Sequence, residues 1–383
     1  MKILDRYVFG NFVRQLVLWY ITLVGIYFIL DLFQNLGGYF DYPNGINPFL
    51  LMFKHYFFIS FAFIDVVLAL LIVMAALAST SMMMRRNEVI ALVAMGVSQM
   101  RIMLPILAGA ALFSFLATFV REIYVPWHAS EYTKTIEELA MPDQGVAVKQ
   151  ASDAVTKVKF TGGTVYRDRG EIQQPVISLS ARYFETWGSE IVAASATFCA
   201  ATQDRPAGYL LRTVSKPDNI AELPSITRRN TTQKVILTPR DFPDRLKPDE
   251  CFVISGLHLE YLEMGEQWSQ FASCYQMIQG YNNPHLDLNK QDLAARIHAR
   301  LLRPLTDLLP LLLGLPVIFF RSDRNVFKSL AIGSLFAGLY IGIQYACVYF
   351  GTQFEMPVLA AWAPLFLFLP ILTNVYADFI FSQ

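Results

Sequence analysis

Between Tyr56 and Met82 the chain carries a single charged residue, Asp65. A bilayer's hydrocarbon core is crossed by about 20 apolar residues of helix, and a backbone there must satisfy its own hydrogen bonds. A stretch this long with one charge therefore predicts a membrane-crossing helix. Five more stretches have the same character: Leu16–Leu32, Ile102–Val120, Leu301–Phe320, Leu330–Phe350 and Val358–Ile380. They lie at the two ends of the 383-residue chain, three before a polar middle block and three after it. A signal peptide is not expected, because the first stretch is too long and no small-residue cleavage site follows it.

Composition agrees with this layout. Hydrophobic residues make up 54% and charged residues 16%, against roughly 25% charged in ordinary soluble domains. That deficit argues against a soluble enzyme. The formal net charge of +0 provides no overall basic field for nucleic acid, so no nucleic-acid partner is expected. Aromatic residues reach 14%, with 30 Phe, which suits a lipid-facing surface.

The short loops predict orientation. Lys2, Arg6 and Arg14 precede the first span; Arg85, Arg86 and Arg101 fall between the second and third; Arg321, Arg324 and Lys328 fall between the fourth and fifth. The loops Asp31–Pro48 and Gly351–Pro357 hold no Lys or Arg. Positive residues mark the cytoplasmic side, so both termini are expected inside and the middle block outside. The expected divisions are a membrane half over residues 1–126, a middle domain over 127–292 and a second membrane half over 293–383.

The middle block reads as many short strands: Ala154–Thr161, Gly163–Arg167, Pro175–Tyr183, Ile191–Ala201, Tyr209–Val214, Lys234–Thr238 and Cys251–Ile254. Turn residues separate them, among them Gly162–Gly163 and Asp204–Arg205–Pro206. The pattern predicts a β-sandwich, jelly roll or open barrel. From Leu257 to Gly280, Leu259, Leu262, Met264, Trp268 and Phe271 are spaced as one helix face. A further polar helix from Leu288 is expected to run into the fourth span. Cys199, Cys251 and Cys274 have irregular spacings that fit no metal site, and unpaired buried thiols are the expectation, against one disulfide among the three.

Catalytic signatures are missing. There is no phosphate-cradling G-x-x-x-x-G-K-[ST], no H-E-x-x-H and no G-x-S-x-G. His55, His128, His258, His285 and His298 do not cluster. Nothing in the sequence calls for a catalytic residue, a cofactor or a metal. Asp65 and Asp307 are acids within predicted spans, which makes them functional suspects by default.

One cytoplasmic segment stands out. Arg85-Arg86-Asn87-Glu88-Val89-Ile90-Ala91-Leu92-Val93-Ala94-Met95-Gly96-Val97-Ser98 joins the second and third spans. Asn87 reads as an N-cap, Glu88 suits a helix N-terminus, and Gly96 reads as a stop. The result is a short apolar helix, over about residues 87–100. It is either parked at the lipid surface or shaped to dock into a cytoplasmic partner.

This pattern, E-x-x-A-x-x-x-x-G-x-S after a basic pair, resembles the coupling helix of the lipopolysaccharide-export permeases, the LptF/LptG or YjgP/YjgQ family. The start Leu4-Asp5-Arg6-Tyr7 with Phe12 resembles that family, as does Arg303-Pro304 followed by Leu313-Gly314-Leu315-Pro316. So does the order of three spans, an external β-domain and three spans. The resemblance implies an inner-membrane protein of six transmembrane helices with an inserted periplasmic β-jelly-roll-like domain. It implies a paralogous permease or second copy as partner, a cytoplasmic ABC ATPase dimer beneath, and a periplasmic bridge protein of jelly-roll type. Lipopolysaccharide or a related glycolipid would be the cargo, and ATP would be hydrolysed only by the separate subunit. Glu88 would be the acid facing a basic group on the ATPase, flanked by Arg85 and Arg86, with Ala91 and Gly96 allowing close approach.

The substrate side is less sharply drawn. Lys54 and Arg121 are the favoured phosphate contacts, against a plain anchoring role at the interface. Phe28 is among the apolar wall residues. Gly25 on the first span, with Gly333, Gly338 and Gly342 on the fifth, would line a lateral gate, against packing within the chain. In one respect the chain departs from the family: Asp31-Leu32-Phe33-Gln34-Asn35 at the outer end of the first span holds no cation. Two other readings stay open. One is an ABC-type permease for another lipid. The other is a membrane sensor or enzyme with a β-rich external domain.

Overall fold

A computed structural model describes residues 3–40, 47–140, 145–179, 187–203, 205–228, 234–320 and 326–381. Lys2, Tyr183, Asp204, Arg321, Arg324 and the Asp65 side chain lie outside the described residues. The chain divides into two compact units. One comprises Met1–Gly37, Tyr56–Trp127 and Lys290–Gln383; the other comprises Gly38–His55 and His128–Asn289.

The chain begins with α1 (Ile3–Phe40), α2 (Pro48–Arg85), α3 (Glu88–Ala94) and α4 (Gln99–Phe119), which lie in the first unit apart from the end of α1 from Gly38 and the start of α2 up to His55. The loop expected from Asp31 starts later, because α1 continues to Phe40 and α2 opens at Pro48. Proline at a first helical position surrenders only an N–H that had no partner there. A π-turn, Val120–Tyr124, and α5 (Val125–Trp127) extend α4. The α2 span is 78% buried and that of α1 only 11%. Small residues explain the difference: Ala75, Ala76 and Ala78 on α2 are buried and let neighbours close in where lipid gives no hydrophobic drive. Around them pack Val8, Phe12 and Leu16 of α1 with Ile102, Met103 and Ile106 of α4. The second half of α1 and the first half of α2 are joined by Phe28 against Tyr56 at 4.5 Å and Tyr27 on Phe63 at 4.8 Å.

In the second unit α6 (Ala129–Thr133) and α7 (Ile136–Ala140) precede nine strands. These are β1 (Val146–Ala147), β2 (Ala151–Ser152), β3 (Lys159–Tyr166), β4 (Glu171–Ser178), β5 (Glu190–Cys199), β6 (Gly208–Lys216), β7 (Ile226–Thr227), β8 (Lys234–Leu237) and β9 (Cys251–Ile254). They form one antiparallel sheet in the order β1-β3-β4-β5-β6-β9-β8-β7, with β2 also on β3. Gly162–Gly163 is not the expected turn. It is a bulge inside β3, where the register to β4 shifts twice, and Gly163 has φ +118. Glycine alone adopts this without strain. The two strands expected on either side are therefore one. On β4 the buried positions pass from Ile172 to Pro175 and Ile177, a change of parity opposite the bulge.

Phe160, Ile177, Ile191, Tyr209 and Leu211 are wholly buried on the sheet. Gly208 on β6 has no room for a side chain: a Cβ there would run into the Val253 carbonyl and lie 2.7 Å from the Phe252 ring. Gly208→Ala should cost about 2–3 kcal/mol, the upper range for overpacking, because backbone must move. Faster amide exchange along β6 and β9 is the check, and unchanged exchange would refute it.

The helix expected from Leu257 to Gly280 is three: α8 (Leu259–Met264), α9 (Trp268–Phe271) and α10 (Cys274–Asn282). Gly265 at φ +58 ends the first. Ser273 restarts the chain with a capping box to Gln276. Leu262, Met264 and Trp268 are still buried. All four cysteines are free thiols, although only Cys251 is fully buried. Burial pushes that thiol up to about 12.

The chain returns to the first unit through α11 (Lys290–Thr306), α12 (Leu309–Phe320), α13 (Val326–Gln353) and α14 (Pro357–Phe381). The polar helix does run on into the apolar stretch, as expected. The stretch Leu301–Phe320 is not one continuous helix, however: it breaks at Asp307–Leu308. Pro310 is the cause, since its ring cannot donate to the Thr306 carbonyl and clashes with it. The Leu308 amide turns to Leu305 O at 3.2 Å, which leaves the Pro304 carbonyl without its helical donor. The Ser114 hydroxyl of α4 donates to that carbonyl at 3.3 Å. Asp307 lies 3.7 Å from Arg303 Nε. Among the described residues, five helices are long and apolar enough to cross a membrane.

Candidate functional site

The connection from α2 to α4 is built from defined turns. Arg85 ends α2 and Arg86 follows, both exposed. Asn87 does not cap α3 as expected. It sits at φ 60, ψ 13 and its side chain makes no cap hydrogen bond. Its amide donates instead to Met84 O at 3.0 Å, so it serves as the left-handed stop of α2, and asparagine tolerates that conformation. Gly96 at φ +82 ends α3 as expected. The Gly96 amide donates to Val93 O at 2.9 Å and the Val97 amide to Leu92 O at 3.0 Å, the paired bonds of a Schellman stop. Ser98 Oγ then accepts from the Arg101 amide at 3.3 Å and opens α4. The expected helix over 87–100 is thus seven residues of α3, a stop and the first turn of α4.

Only Val89 of α3 is buried. Ile90 and Met95 are 53% and 72% exposed. Ala91 and Gly96 are exposed as well, and nothing lies within 4 Å of a Cβ built on Gly96. Glu88 is half-buried at the helix N-terminus, where the dipole favours its charge. Its Oε2 accepts from the Tyr7 hydroxyl at 2.9 Å, and its Oε1 lies 3.8 Å from Arg86 Nη1. The structure thereby collects Arg86, Glu88, Ala91 and Gly96 on one small projection and adds Tyr7, whose contact is 81 residues away in sequence.

The other expected site residues fall elsewhere. Lys54, in the second unit, lies 3.5 Å from Glu131. Burial raises the Glu131 carboxyl, but the Lys134 hydrogen bond and the two lysine charges outweigh it and hold the group below its ordinary value. Arg121 belongs to the first unit and is 6% exposed on the π-turn. Gly25, Gly338 and Gly342 meet nothing within 4 Å, whereas a Cβ on Gly333 would run into Leu77. Packing within the chain therefore explains Gly333 and not the other three. Asp31, at the cation-free end of α1, accepts from the Tyr56 hydroxyl at 2.9 Å.

Sequence reasoning missed a cavity of about 720 Å³ in the sheet unit. Leu210, Val235, Leu237 and Phe252 supply its apolar wall, and Arg205, Arg228, Lys234 and Arg245 supply cations, with no acid among the described lining residues. The Arg205 guanidinium lies 5.1 Å over the Phe252 ring and the Lys234 ammonium 4.1 Å over Phe242. Pairing against ring faces holds a cation without neutralising it. One edge is pinned by Asp153, which is wholly buried. Its carboxylate accepts from Ser255 Oγ at 2.7 Å, the Val155 and Thr156 amides at 2.9 Å, and His285 Nδ1 at 2.9 Å. Burial opposes its charge, yet these donors hold the carboxyl below its ordinary value. No local motif signals this cluster, since its members are up to 132 residues apart.

No curated protein matches the chain. The family model of the lipopolysaccharide export system permease LptF/LptG matches residues 6–166 and 222–377. The unmatched interval includes Arg205 and the whole of β4, β5 and β6. With the matched regions reaching from the first helix to the last, the chain belongs to the LptF/LptG family of lipopolysaccharide export permeases, multi-pass membrane components of a transport system.

Proposed function

We propose that the chain is a transmembrane permease subunit that carries lipopolysaccharide out of the inner membrane on the stroke of a separate ABC ATPase. The observation that carries this reading is α3. It is a seven-residue helix fixed by a stop at each end, with apolar residues facing outward and an acid at its tip. A lipid-surface helix has no need of such fixed ends, whereas a docking knob that must pass on a push does. Glu88 takes the ATPase's cation, Arg85 and Arg86 flank it, and Ala91 and Gly96 let the partner's surface approach. Both termini and α3 are then cytoplasmic, and the sheet unit is periplasmic, where it meets a bridge protein of jelly-roll type.

A second permease, paralogue or copy, pairs along α1 and α13, where Gly25, Gly338 and Gly342 leave open space. Lipid enters between them. Lys54 is the better placed head-group cation of the original two, with a side chain 42% exposed, and Arg121 becomes available only as helices part. In the sheet unit the cavity offers an apolar wall for acyl chain and four cations for phosphate.

The test is a pull-down of the detergent-solubilised protein from its own membranes, with bound proteins and lipids identified by mass spectrometry. A co-purifying ABC ATPase together with lipopolysaccharide supports the reading. An ATPase with some other lipid points to a different cargo, and no ATPase refutes the reading. For the cavity, Arg205→Glu with Arg245→Glu should reduce photo-crosslinking of lipopolysaccharide to β6 roughly thirtyfold, since each of the two exposed phosphate contacts is worth about 1 kcal/mol. Unchanged crosslinking would remove the cavity from the route.

A further inference from the structure

The run Leu4-Asp5-Arg6-Tyr7 marks the start of α1 but has so far been given no task. Two of its side chains reach the connection between α2 and α4. The Tyr7 hydroxyl donates to Glu88 Oε2 at 2.9 Å. Asp5 receives Arg101 Nη2 on both oxygens, at 2.9 Å and 3.0 Å. One turn of α1 thus holds the first residue of α3 and also, beyond the Gly96 stop, the third residue of α4.

We propose that Tyr7 and Asp5 are positioning residues for coupling: Tyr7 aims the Glu88 carboxylate, and the Asp5–Arg101 pair ties α1 to the far side of the coupling helix. The inference rests on the reading of α3 as that helix. A carboxylate has about four acceptor positions. Tyr7 occupies Oε2, and Oε1, which among the described residues has Arg86 beside it at 3.8 Å, is left to face an incoming cation. A glutamate not held in this way would have to be ordered at each encounter, at a cost in side-chain entropy. Arg101 Nη2 reaches both oxygens of Asp5, a charge-assisted contact that ties the start of α4 to α1.

The consequence concerns α1. Its first turns are fixed by wholly buried Val8 and Phe12, yet its membrane span is only 11% buried. A displacement at α3 therefore reaches a helix whose span packs little within its own chain and faces the second permease in the reading above. Through Tyr7 and Asp5 the stroke enters α1 directly and not only through α2 and α4. A simple staple of the N-terminus would hold the same bonds but would have no link to what Glu88 does.

The experiment uses the full-length chain, purified with its co-purifying ATPase and reconstituted in proteoliposomes loaded with lipopolysaccharide. Tyr7→Phe keeps the ring and removes only the donor. It should lower ATP-dependent lipid release about five- to tenfold, the effect of one solvent-exposed hydrogen bond, with protein level unchanged. Tyr7→Phe combined with Glu88→Gln should be no worse than Glu88→Gln alone, because both changes act through one carboxylate. Asp5→Arg should impair release, and adding Arg101→Asp should restore at least half of it. Additive losses, full activity of Tyr7→Phe, or failure of the charge swap to rescue would overturn the proposal while leaving the coupling reading intact. Absence of any ATPase from the wild-type preparation would overturn both.

Discussion

Glu88→Arg should strip the ATPase from the solubilised protein while leaving the protein's abundance in the membrane unchanged. Leaving one member of an interfacial charge pair buried and unpartnered costs roughly 2–5 kcal/mol. At 1.4 kcal/mol per decade, that is a loss of about 30- to 4,000-fold in affinity. The arginine also puts like charge against Arg86, whose guanidinium lies 3.8 Å from the native carboxylate. Folding should be spared, because α3 contributes one buried residue, Val89, to the core. Glu88→Gln keeps the shape and removes only the charge, so it should fall between. Quantitative recovery of the ATPase by immunoblot, normalised to the permease, is the measurement. Equal recovery in wild type and Glu88→Arg would show that α3 does not carry this contact.

Asp153→Ala should unfold the edge of the sheet unit beside the cavity. The substitution removes one carboxylate and strands four donors: Ser255 Oγ, His285 Nδ1 and the amides of Val155 and Thr156. Removing one side of a buried, hydrogen-bonded charged cluster costs about 3–5 kcal/mol, a large share of what holds a domain this size. Limited proteolysis of the membrane-embedded protein should then cut between β2 and β3, where wild type resists.

The pH dependence has a definite sign. The folded carboxyl titrates below its ordinary value, so its stabilisation is present above the unfolded value of about 3.9. It is lost as pH falls through the lower, folded value. Wild type should lose protection below about pH 4 and the variant should show no such loss. A variant as resistant as wild type at neutral pH would mean that waters take over the stranded donors.

Hydropathy made the membrane helices legible because a lipid environment selects on composition, and α2, α4, α13 and α14 lie where their apolar runs are. It could not show the break at Asp307–Leu308, since leucine-rich sequence on both sides hides a defect caused by the missing N–H of Pro310. Gly162–Gly163 was read as a turn because glycine pairs serve turns and bulges alike, and only the paired strand decides between them. Asn87 likewise suits a cap or a left-handed stop, and the helix on its N-terminal side determined which. At the site, the projection of Glu88, Ala91 and Gly96 was readable from local spacing. Tyr7 on Glu88, and Asp153 with Ser255 and His285, join residues 81 to 132 apart, and a single sequence carries no record of such pairings.

The interrupted fourth apolar stretch also limits how the molecule can move. Where α11 gives way to α12, the Pro304 carbonyl depends on Ser114, and Thr306 and Asp307 are 2% and 6% exposed. Hydrocarbon offers such groups no substitute partner. Turning α11 about its own axis would present a bare carbonyl and a carboxylate to lipid, so spin is the one degree of freedom this helix has lost. Whatever rearrangement passes cargo along, α11 and α4 must travel as a pair, sliding or tilting together with the Ser114 contact as their common pivot.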